Sequence, residues 1–62
     1  MNALEQLERY GYRLVKKDNY KIIIEKGLIT IEYDKILDAV RSHEGIFETE
    51  VSGTVIDLIK RI

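Results

Sequence analysis

The chain has 62 residues, ten basic and eleven acidic, with one His, no Cys, no Pro and no Trp, for a formal net charge of -1. That balance, 45% hydrophobic and 34% charged, fits one small globular domain over 1–62. It excludes a disulfide framework, a Cys-based zinc site and a thiol nucleophile.

Targeting signals are equally sparse. The longest apolar run is Ile22, Ile23 and Ile24, far short of the roughly 20 residues of a membrane span. Glu5 and Glu8 fall where a secretion signal needs an apolar core. A cytoplasmic protein with no membrane association is expected.

Size sets the first physical limit. Burial of apolar surface in a 7.3 kDa chain contributes on the order of 95 kcal/mol. Ordering the backbone and side chains costs about 90 kcal/mol. With so small a difference and no covalent brace, a partner is expected to add stability, most simply a second copy of the chain.

In chain order, the first element is a short helix. Asn2 stands at its cap, Glu5 at the capping-box spacing, and Leu4, Leu7 and Tyr10 at helical spacing. Gly11 is placed to end it in the left-handed conformation.

Three strands follow, over 12–16, 20–26 and 28–33. A loop at Lys26 and Gly27 predicts that Ile24 faces Ile29, Ile22 faces Ile31 and Tyr20 faces Tyr33, with Lys21 opposite Glu32 on the other side. A loop over 17–19, with Asn19 tolerating the left-handed conformation, sets Leu14 against Ile22 and Tyr12 against Ile24. The expected core face is Tyr12, Leu14, Tyr20, Ile22, Ile24, Ile29, Ile31 and Tyr33. The other face carries Arg13, Val15, Lys21, Ile23, Glu25, Leu28, Thr30 and Glu32, mixed enough to serve as a second packing surface.

A second helix is expected from Asp34 to about His43, with Ile36, Leu37 and Val40 as its apolar stripe and Gly45 ending it. Residues 46–51 alternate weakly as a candidate fourth strand. A last helix starts near Thr54 with Asp57 at the capping-box position. Val55, Ile56, Leu58, Ile59 and Ile62 make it apolar over much of its girth, so it must pack on the sheet or on another chain. The fold class is α+β: a three-stranded antiparallel meander with a candidate fourth strand, packed by two or three short helices in the order α-β-β-β-α-(β)-α.

Catalytic chemistry is thin. Ser42 and His43 are adjacent, so on a helix they point about 100° apart and cannot act as nucleophile and base. Glu44, Glu48 and Glu50 offer carboxylates but no fixed cage for a hard cation. Neither a phosphate loop nor a dinucleotide fingerprint occurs. No enzyme activity, cofactor or metal is expected.

Charge is unevenly placed. The first hairpin, 12–26, holds five basic and two acidic residues, a net of +3, while 27–62 carries -3. The acidic part suits electrostatic steering to a basic protein partner. Two readings follow. The leading one is a non-catalytic, homodimeric protein-binding module that occupies a partner's surface, with Val15, Ile23, Leu28, Val55, Ile59 and Ile62 as the dimer interface. The competing one is nucleic-acid binding through Arg13, Lys16, Lys17, Lys21 and Lys26. Ten Ile and six Lys in so short a chain is a bias common in small accessory proteins of AT-rich bacteria and their phages, and such a mobile-element origin is expected.

Overall fold

The computed structural model describes residues 2–42 and 53–62. Helix α1 (Ala3–Arg9) opens with the full capping box: the Glu5 N–H donates to Asn2 Oδ1 at 2.8 Å, and the Asn2 N–H donates to Glu5 Oε1 at 3.4 Å. It ends on Gly11 at φ 94°. The Gly11 N–H donates to the Glu8 carbonyl and the Tyr12 N–H to the Leu7 carbonyl, both at 3.0 Å. This is the Schellman pattern, and its apolar clasp is Leu7 with Tyr12, both buried.

Four strands follow: β1 (Arg13–Lys17), β2 (Lys21–Lys26), β3 (Ile29–Asp34) and β4 (Ala39–Ser42). They form one antiparallel sheet in chain order, so β1 and β4 are its edges. Helix α2 (Gly53–Arg61) lies with α1 on one face. The class is α+β, in the order α-β-β-β-β-α.

The β2–β3 register differs from the expected one by two residues. Ile24 stands opposite Ile31 and Ile22 opposite Tyr33. The loop is Gly27-Leu28, not Lys26-Gly27, because the expected loop would demand positive φ of Lys26. Moving it one residue puts Gly27, at φ 58°, in the first central position, where a type II′ loop calls for glycine. A shift of two keeps every side chain on its face. Tyr12, Ile22, Ile24 and Ile31 are accordingly buried, with Leu14, Ile29 and Tyr33 packed at the margin.

Strand β1 also pairs differently. Leu14 stands opposite Ile24, Lys17 opposite Ile22, and a bulge at Val15 separates the two registers. The extra residue turns Lys16 to the open face, opposite Ile23, and Lys17 to the helix side. The β1–β2 loop is 18–20, not 17–19. Among the described non-glycine residues Asp38, not Asn19, has positive φ. The Asp18 carboxylate closes the loop by accepting from the Tyr20 N–H at 2.7 Å and the Lys21 N–H at 2.9 Å. Tyr20 therefore lies on a loop and is 64% exposed, not in the core.

No helix forms over 34–42. Asp34 does cap a turn, accepting from the Ile36 and Leu37 N–H groups at 2.9 and 3.0 Å. Asp38, at φ 51°, then reverses the chain, and Ala39–Ser42 pairs with β3. A helix of about ten residues is marginal on its own, whereas a fourth strand satisfies the β3 edge. The expected strand at 46–51, and the expected helix end at His43 and Gly45, lie outside the described residues.

Helix α2 starts one residue before Thr54, so Thr54 is no cap. Asp57 instead pairs with Arg61 at 3.0 Å. Its apolar stripe finds mates within the chain: Val55, Leu58 and Ile59 are buried with Leu7 and the β2 and β3 isoleucines, while Ile56 and Ile62 pack at the margin.

Candidate binding surface

The six residues expected at a dimer interface do not share one surface. Val55 and Ile59 belong to the chain's own core. Ile62 is half-buried beside them. Ile23, half-buried, lies on the open face of the sheet, and Val15, 49% exposed, sits at the β1 bulge. Leu28, 89% exposed, is at the β2–β3 loop.

The five basic residues of the first hairpin are also dispersed. Arg13 is ion-paired with Glu25 across β1 and β2. The Lys16 ammonium lies 3.5 Å from Asp18, and that of Lys21 lies 3.3 Å from Glu32. Lys26 stands over the Tyr12 ring, 5.5 Å from its centre. Lys17 lines a shallow cavity of about 260 Å³ with Asn2, Ala3, Leu4, Arg61 and Ile62. That volume falls below the roughly 300–1,000 Å³ of small-molecule pockets.

What the fold does bring together is a pair of adjoining turns. The Lys35 N–H donates to the Tyr20 carbonyl at 2.8 Å, tying the β1–β2 loop to the β3–β4 turn. On these turns Tyr20, Ile36 and Leu37 are 64%, 70% and 66% exposed. Both turns are closed by aspartates bonded to backbone amides: Asp18 in the first, Asp34 in the second. Those amide bonds hold the Asp18 carboxyl below its ordinary value. A third aspartate fastens the second turn to the core side. The Tyr33 hydroxyl donates to Asp38 Oδ1 at 2.7 Å, and Lys60 of α2 reaches the same carboxylate at 3.8 Å. That hydrogen bond to Asp38 pushes the Tyr33 phenol above its ordinary value, with burial adding to it.

Sequence reasoning placed Tyr20 in the core and Ile36 and Leu37 on a helix stripe. The missed signal is the spacing of Asp34 and Asp38 around a three-residue segment. One Asp accepts from backbone amides and the other tolerates the left-handed conformation.

Among the described residues no group of three or more His, Asp or Glu is placed to hold a metal ion. Among the described residues no helix is long and apolar enough to cross a membrane. Comparison with family models, curated proteins and solved structures returns no match.

Proposed function

We propose that the chain is a small non-catalytic protein-binding module that acts by occupying a partner's surface. The observation that carries this reading is the exposure of Tyr20, Ile36 and Leu37 on two turns that are tied to each other and stiffened by aspartates. Large apolar side chains gathered at one end of a small domain favour contact with another macromolecule. Turns already held in shape lose little further freedom on binding.

A second copy is the simplest partner for such a module. Val15, Ile23 and Leu28 remain accessible for that contact, whereas Val55 and Ile59 do not. Sedimentation equilibrium from micromolar to millimolar concentration separates self-association from binding to a different protein.

The test uses paired baits in extracts of the native host: the wild-type chain and the double variant Ile36→Ser/Leu37→Ser. Proteins retained by the first and lost by the second support the reading. Identical captures, with both baits folded, overturn it.

A further inference from the structure

The β1 edge carries a chemical preference that goes beyond this reading. Among the described residues strand β1 bonds to β2 on one side only, as the first strand of the sheet. Among the described residues no backbone bond joins Arg13–Lys17 to any element other than β2. Four of its five residues are exposed, Leu14 being half-buried. Its polar side chains are Arg13, Lys16 and Lys17, with no acid among them.

These cations lie on both sides of the edge. Arg13 and Lys16 project to the open face, opposite Glu25 and Ile23, and the Val15 bulge turns Lys17 to the helix side. The Arg13 and Lys16 ion pairs are solvent-exposed and therefore weak. No ion pair engages Lys17 among the described residues.

A second copy cannot use this edge well. Antiparallel pairing of β1 with itself brings the three cations of each copy onto one short ladder, with Arg13 and Lys17 opposed, and like charges on facing strands repel. An acidic strand meets the reverse situation, with opposite charges across the new ladder on both faces. We propose that the β1 edge is a docking site for an extended acidic segment of another protein, added antiparallel or parallel as a fifth strand. Backbone bonds supply the attachment and the three cations choose the sequence. The bulge twists the edge away from flat sheets, and a single short strand can follow that twist.

The probe is a synthetic peptide, acetyl-Val-Glu-Glu-Val-Glu-Thr-amide, whose acids fall on both faces of a strand, compared with the same peptide carrying Lys for Glu. Each is titrated into the 15N-labelled chain at low salt. The amides of Arg13–Lys17 should shift with the acidic peptide, which should bind about tenfold or more tighter than the basic one. The preference should shrink at 0.5 M salt, because the choosing charges are exposed.

The variant K16E/K17E, both positions being exposed, should fold and reverse the preference. Equal affinity for the two peptides, shifts confined to Tyr20, Ile36 and Leu37, or no reversal in the variant would each overturn the proposal. So would a single-stranded oligonucleotide of equal charge that shifts the same amides as strongly. The peptide preference is read at β1 and the paired-bait capture at Ile36 and Leu37, so failure of one reading is distinguishable from failure of the other.

Discussion

The Lys21 ammonium lies 3.3 Å from the Glu32 carboxylate although the two are not cross-strand partners: Lys21 stands opposite Asp34 and Glu32 opposite Ile23. The contact runs diagonally across β2 and β3, within reach of a long side chain. A double-mutant cycle with Lys21→Ala and Glu32→Ala should give a coupling of about 0.2–1 kcal/mol in urea unfolding. The value should fall modestly with salt, because the lysine is partly solvated while the glutamate is mostly covered.

Asp18 makes stability depend on pH at the acid end. Its carboxyl is held below its ordinary value of 3.8, first by the Tyr20 amide and then by the Lys21 amide. A depressed folded value means a contribution fully present above the unfolded value and lost as pH falls through the folded one. Thermal stability should therefore fall progressively below pH 3.8. Asp18→Asn, which keeps an acceptor but no charge, should flatten that part of the profile.

The end of α1 is specified by backbone geometry. Gly11→Ala forces a side chain into φ 94°, where the new methyl carbon also meets Lys26 Cε at 3.2 Å. The lysine can swing aside but the backbone cannot relax, so about 1–2 kcal/mol of stability should be lost. Leu7, fully buried beneath that cap, should cost more: Leu7→Ala removes about 2–5 kcal/mol. In so small a domain that change should abolish the cooperative thermal transition.

Ile36 and Leu37 should behave oppositely to Ile59. The double variant Ile36→Ser/Leu37→Ser alters exposed positions and should change unfolding free energy by less than about 0.5 kcal/mol per site. Ile59→Asp places an uncompensated charge in a fully buried position and should unfold the chain, as circular dichroism would report.

Which face the β2 and β3 residues occupy was legible because strand side chains alternate with period two. The β2–β3 loop moved by one residue, the register by two, and Ile22, Ile24 and Ile31 stayed inside. Gly11 and the Asn2–Glu5 box were legible because their bonds are local. The segment 34–42 was not, because an aspartate accepting from the next amides opens a helix and an isolated turn alike. The sheet edge, a tertiary fact, decided between them. The end formed by Tyr20, Ile36 and Leu37 was hidden for the same reason, since its two turns meet only when β2 and β3 pair.

Asn2 and Ile62 line the same shallow cavity, beside Lys17 and Arg61. The start of α1 and the end of α2 are thus close enough for a short bridge to join them. A short glycine bridge from Ile62 to the amino end, with a new opening between Gly27 and Leu28, should yield a circular permutant with the dispersed amide spectrum of the parent. Leu28 is 89% exposed, so the new ends would emerge into solvent.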